Sequence, residues 1–142
     1  MKVMGLSDRL KNRGYRLTTQ RGVVLDVLAA NQGRPMNIED IFESAGARLP
    51  GIGIATVYRT LELFLELGIA HSVHLHEASQ HYEINTGSHH HYMVCNACGS
   101  TTVLEACAVD TLEDVIRDQS DFLVTSHCMT LFGYCPACLP SG

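Results

Sequence analysis

Two Cys-x-x-Cys pairs, Cys95-Asn-Ala-Cys98 followed by Gly99 and Cys135-Pro-Ala-Cys138, carry the plainest chemistry in this chain of 142 residues. Four thiolates presented by such knuckles are the soft tetrahedral donor set that zinc prefers. The 36 residues between the pairs exceed the roughly 15–20 of a compact zinc ribbon. The expected role is therefore a structural Zn(2+) staple that fastens the last segment onto the first strand of its own subdomain. Disulfide or thiol redox chemistry is the competing reading, disfavoured by a cytosolic setting and by the lack of a βαβ pattern around either motif. Cys107 and Cys128 have no such spacing and read as small hydrophobes rather than ligands.

Seven of the eight histidines fall between positions 71 and 91: His71, His74, His76, His81, His89, His90 and His91, with Glu77 and Glu83 interleaved. Imidazole and carboxylate together make good sites for divalent transition metals. In a strand, His89 and His91 point to one face and His90 to the other, so two separate sites are possible. Asp110 and His127 are candidate distant ligands. The alternative is a histidine-rich solvated hairpin, and it weighs most on His74, His76 and His81.

These residues need elements to position them. Leu6, Leu10 and Tyr15 among Arg9, Lys11, Arg13 and Arg16 predict a short basic helix stopped by Gly14. Thr18 or Thr19 caps a second helix through Val23, Val24, Val27 and Leu28, and Asn37 with Glu39 and Asp40 opens a third. Ile54, Val57, Leu61, Phe64 and Leu65 recur at helical spacing up to Gly68, leaving Thr56, Arg59 and Glu62 on the opposite face. Extended runs at 69–75 and 81–84 predict a hairpin. Helices followed by a hairpin outline a winged helix-turn-helix with 54–67 as recognition helix. After a linker at Asn85, Thr86 and Gly87, strand-like runs at 92–95, 101–104 and 123–132 and a helix over 109–117 give a small second unit. Its free sheet edge predicts pairing with a second copy. The expected class is α+β, with a DNA-binding domain at 1–85 and a dimerisation and metal-binding domain at 86–142.

Composition agrees with a folded, soluble chain, at 46% hydrophobic and 18% charged residues. There is no apolar run long enough to span a membrane, and Met1 to Arg13 lacks the apolar core of a signal peptide, so a cytoplasmic location is expected. The net charge of -5 conceals a split: nine basic residues face seven acidic through residue 70, and one faces eight thereafter. The first 21 residues carry six basic residues against Asp8 alone. That local excess suits phosphate contacts.

Several motifs occur together in order: Arg13-Gly-Tyr-Arg-Leu-Thr-Thr-Gln-Arg21, Ile54-Ala-Thr-Val-Tyr-Arg-Thr-Leu61, His89-His-His91 ahead of Cys95-x-x-Cys98-Gly, and Cys135-x-x-Cys138. Over nearly the whole chain this resembles the ferric uptake regulator (Fur) family, with Thr19 where that family commonly has proline. The resemblance implies a homodimeric, metal-dependent transcriptional repressor that binds double-stranded operator DNA. It also implies DNA contacts from Arg13, Arg16, Arg21, Thr56, Tyr58 and Arg59, and a structural zinc at Cys95, Cys98, Cys135 and Cys138. A further site in the dimerisation domain falls to His89, His91, Asp110 and His127.

The family's regulatory hinge site is altered. Glu83 and His90 stand at ligand positions, but Pro35 and Tyr92 replace histidines usual in iron and peroxide sensors, and Val103 replaces a frequent carboxylate. His71 matches a ligand of the zinc-responsive, Zur-like branch. The expected hinge set is thus His71, Glu83 and His90, with His74 or His76 as a possible fourth, and the sensed metal is Zn(2+) or Fe(2+), with zinc favoured. The expectation is control of metal-homeostasis genes. A peroxide- or nickel-responsive regulator is the neighbouring alternative. A zinc enzyme or metal chaperone is the alternative from another class, weakened by the absence of HExxH, G-x-S-x-G or a phosphate loop and by the unexplained basic helix.

Overall fold

Thr18 sets the start of the second helix: its extended backbone and its Oγ1, which accepts the Arg21 N–H at 3.3 Å, satisfy a donor that the first turn leaves open. Asn37 does the same for the third, accepting the Asp40 N–H at 2.8 Å, with Glu39 and Asp40 favourably placed against the helix dipole. The computed structural model describes residues 2–75, 80–87, 90–107, 109–125 and 127–140. The chain divides into two compact units, Met1–Gly87 and Ser88–Gly142.

The first unit contains α1 (Lys2–Asn12), α2 (Thr19–Ala30), β1 (Met36–Asn37), α3 (Ile38–Arg48), α4 (Ile54–Glu66), β2 (Ala70–His74) and β3 (Gln80–Ile84). Its core joins Leu6 and Leu10 of α1 to Val24, Val27 and Leu28 of α2, Ile41 and Ala45 of α3, and Val57, Leu61 and Phe64 of α4. A buried side chain of this kind stabilises by about 1.5–3 kcal/mol, so four short helices that would be marginal alone hold together. Gly68 ends α4 in the left-handed region at φ 68°. Gly68 N–H returns to Leu65 O and Ile69 N–H to Phe64 O, the paired bonds of a Schellman stop. Arg9 and Asn85 side chains both donate to Gly68 O, tying α1 and the end of the hairpin to this corner.

The sheet of this unit runs β1-β3-β2, all antiparallel. With α4 ahead of it, the β2–β3 hairpin is the wing of a winged helix. The strand β1 was not expected, because two residues flanked by Pro35 carry no period; Met36 and Asn37 pair with Tyr82 and His81 in the ladder.

The second unit contains β4 (His91–Cys95), β5 (Thr101–Leu104), α5 (Val109–Ser120) and β6 (Thr130–Gly133). β4 is central, antiparallel to β5 and parallel to β6. The strand expected over 123–132 is a correction: among the described residues of that stretch, pairing begins at Thr130, and 121–125 and 127–129, entered through Asp121 at φ 52°, lie outside the sheet.

Candidate metal centre and nucleic-acid interface

Cys95 closes β4, Cys98 lies in the turn after it, and Cys135 and Cys138 follow β6, the strand hydrogen-bonded beside β4. Pairing of β4 with β6 thus brings the two knuckles together, and the four sulfurs lie within 4.8 Å of one another. Gly99 at φ 74° allows the turn, donating its N–H to Cys95 O at 2.9 Å. Asn96 N–H donates to Gly133 O at 2.7 Å, locking the knuckle to β6.

The electrostatics of the cluster are frustrated. The backbone N–H groups of Cys135 and Cys98 hold the Cys95 thiol down at about 6, and the Ser100 hydroxyl and amide lower Cys98. The Cys138 thiol is pushed up to about 12 by the neighbouring sulfurs of Cys135 and Cys98. Amide donors therefore favour thiolate at one side of a group that cannot carry four negative charges unaided. A divalent soft cation resolves that conflict, so the donor set fits zinc.

A second group of donors sits at the opposite end of β4. His91, the first residue of the strand, is buried, and its Nε2 lies 3.2 Å from Cys107 Sγ; His127 Nε2 lies 3.4 Å from the same sulfur. The two imidazoles are tilted at 32° with centroids 5.2 Å apart. His127 Nδ1 is 2.8 Å from Glu113 Oε1 on α5. Cys107 was expected to be a small hydrophobe, and this is a correction: its sulfur faces two imidazoles, because the turn after β5 returns it to the start of β4. Of the set expected here, His91 and His127 are brought together, while His89 and the side chain of Asp110 lie outside the described residues. Cys128 is exposed.

In the first unit, His71 stands opposite Glu83 in the wing register, and its Nε2 contacts Glu83 Oε1. His90 belongs to the second unit, where its Nε2 lies 3.0 Å from the phenol of Tyr92 with the rings edge to face. The residue that replaces a usual histidine therefore engages the neighbouring one. His74 and His81 lie on the hairpin strands, and neither joins a group of three or more donors among the described residues. His76 lies outside them.

Arg21, Thr56 and Arg59 line one polar cleft with Thr18, Gln20 and Thr60, between the start of α2 and the first half of α4. Arg21 donates to Arg16 O at 2.6 Å and stacks its guanidinium 5.7 Å from the Tyr15 ring centroid, which holds the charge in place. Arg13 and Arg16 are exposed in the α1–α2 turn, and Tyr58 is exposed on α4. Tyr58 lies near Tyr82 of the wing, whose pKa is raised first by burial and then by nearby Tyr58 and Glu62.

The family model for the ferric uptake regulator family matches residues 12–132. The chain belongs to the ferric uptake regulator family. The ferric uptake regulation protein of Bacillus subtilis is 30% identical, over 94% of this chain and 91% of that protein. The peroxide-responsive repressor PerR of Staphylococcus epidermidis is 29% identical over 94% of this chain and 87% of its own length. Among solved structures, the ferric uptake regulator of Vibrio cholerae superposes with a TM-score of 0.73 at 27% identity, covering 91% of this chain and 98% of that one. Iron and peroxide regulators thus resemble this Fur-family chain almost equally, so overall similarity does not assign its metal.

Proposed function

We propose that this Fur-family chain is a homodimeric, zinc-responsive transcriptional repressor that binds double-stranded DNA in the cytoplasm and controls metal-homeostasis genes. The observation that carries the reading is the His71–Glu83 pair on the wing of a domain whose polar cleft places Arg21 and Arg59 beside Thr56, donors suited to phosphate. His71 and Glu83 of the wing and His90 of the second unit are the residues assigned to sensing, and the departures at Pro35, Tyr92 and Val103 remove ligands that iron and peroxide sensing would use. Metal held by these residues would offset the Glu83 carboxylate and favour the DNA-competent conformer. A differential affinity of about 1–3 kcal/mol between conformers changes DNA affinity about 5- to 150-fold.

Cys95, Cys98, Cys135 and Cys138 are the residues to hold structural zinc, which supplies folding energy at all metal levels. Exposed apolar side chains support a dimer. Among the described residues, Met93, Val103, Leu112, Val115, Phe122, Leu123, Leu131, Phe132, Tyr134 and Leu139 of the second unit are exposed, against Leu17, Ile54 and Tyr58 of the first. Met93, Leu131, Phe132 and Tyr134 among them line one apolar cleft, the kind of exposed surface that a second copy would cover. No described helix is long and apolar enough to cross a membrane. The roles assigned are binding and switching, and none is catalytic.

The test is selection of duplexes from a random DNA pool by the full chain, with and without Zn(II) at fixed salt. An inverted repeat recovered only with zinc is expected, its half-sites one helical turn apart as a two-fold dimer requires. Recovery of no sequence, or of the same sequence regardless of metal, would overturn the reading.

A further inference from the structure

We propose that Cys107 is a thiolate ligand in the dimerisation-domain site to which the resemblance assigns only imidazole and carboxylate donors: with His91 and His127 it makes a donor set suited to a tetrahedral ion of the zinc class, oriented by Glu113. The three donor atoms lie within 4.8 Å of one another. In a tetrahedral zinc site with bonds of about 2.0–2.3 Å, neighbouring N and S ligands are about 3.6 Å apart. The observed N···S separations of 3.2 and 3.4 Å need an expansion of only a few tenths of an ångström to admit the ion.

The tautomer is also set. With Nδ1–H of His127 donating to Glu113 at 2.8 Å, the lone pair of a neutral ring lies on Nε2, which faces Cys107. This carboxylate–histidine relay is the outer-shell arrangement that orients imidazole toward metals and raises its basicity. His91 is fixed by its place in β4, opposite Leu104 in the ladder. Strand geometry puts it on the same face as Cys95, four residues and about 13 Å along, so the central strand carries a donor group at each end.

The thiolate changes what the site would select. A set of histidines and carboxylates accepts iron or manganese readily, whereas two imidazoles and a thiolate favour zinc, cobalt or copper. The proposal stands apart from the DNA-binding reading, since it concerns metal capture and not its consequence.

The experiment uses the full chain with zinc retained at the four-cysteine cluster, verified by metal analysis, and titrates it with Co(II). The expected result is one further equivalent bound, with a near-ultraviolet sulfur-to-cobalt charge-transfer band and the strong visible absorption of tetrahedral cobalt. Cys107→Ser should abolish the near-ultraviolet band, and Cys128→Ser should keep it. Glu113→Gln should keep the band and weaken cobalt binding about 10- to 100-fold. Absence of the band in the unaltered protein would overturn the proposal and leave a hydrogen-bonded His–Cys–His group only. Persistence of the band in Cys107→Ser would overturn it equally. DNA is absent throughout, so failure here is distinct from failure of the repressor reading.

Discussion

His71 lies directly across the wing from Glu83, and its Nε2 meets a carboxylate whose side chain is 1% exposed while the imidazole is 42% exposed. The pair therefore has one buried carboxyl donor and one imidazole reachable from solvent, an arrangement that can take up a cation without rebuilding the hairpin. Removing one member should separate sensing from folding. His71→Ala is expected to abolish metal-dependent tightening on DNA while costing about 1–2 kcal/mol of stability, because the carboxylate loses a partner. Urea unfolding and DNA anisotropy on the same variant check both halves.

Arg59 is exposed on α4 beside Arg21 and Thr56. Arg59→Ala should weaken DNA binding and leave metal content unchanged. If its contact is with phosphate, the slope of log affinity against log salt should fall by about 1. Loss of bound metal in this variant would contradict the division of labour between the two units.

The second unit has little apolar core of its own. Among its described residues, only Tyr92, Val94 and Cys95 are buried hydrophobics, with His91 beside them. Such a small unit needs a metal staple. Cys138→Ser, or prolonged chelation, is expected to unfold it and release zinc while the first unit keeps its helices. Amide exchange read separately over 1–87 and 88–142 tests this. Uniform protection after zinc removal would contradict it.

Phe132 and Leu131 are exposed on β6 and line an apolar cleft with Met93 and Tyr134. Phe132→Glu should shift the chain toward monomer in light scattering and, with two half-sites no longer joined, reduce operator affinity. Retention of zinc at the cysteines would show that the loss lies in association.

Tyr82 supplies a pH prediction. Burial raises its pKa above 10, so the neutral phenol is favoured in the folded state. Its contribution is fully present below the ordinary tyrosine value and is lost as pH rises through the raised folded value. Stability measured between neutral pH and pH 11 should fall in the unaltered protein, and the fall should be smaller in Tyr82→Phe.

Much of this was legible in the residues. Thr18 and Asn37 announce their helices because a cap is a local event, and Gly68 marks the end of α4 for the same reason. The four cysteines were legible because metal chemistry constrains spacing. β1 was hidden, since two residues paired by backbone have no pattern. Cys107 was hidden because its partners, His91 and His127, lie 16 and 20 residues away in sequence and meet it only through the return of the chain after β5. A cysteine outside both Cys-x-x-Cys motifs, near a histidine-rich strand, was the available signal, and burial as a hydrophobe explained it equally well. The Tyr92–His90 contact was likewise invisible. The sequence shows a substituted ligand position there but not what the substitute touches.

The central claim is that zinc taken up by His71, Glu83 and His90 controls DNA binding. It is tested most directly by DNA affinity of the zinc-stapled protein titrated separately with Zn(II), Fe(II), Mn(II) and Ni(II) at fixed salt. The account predicts tightening of about 5- to 150-fold at low free zinc, lost in His71→Ala. Tightening by iron or manganese alone, or no response to any of the four ions, would contradict it.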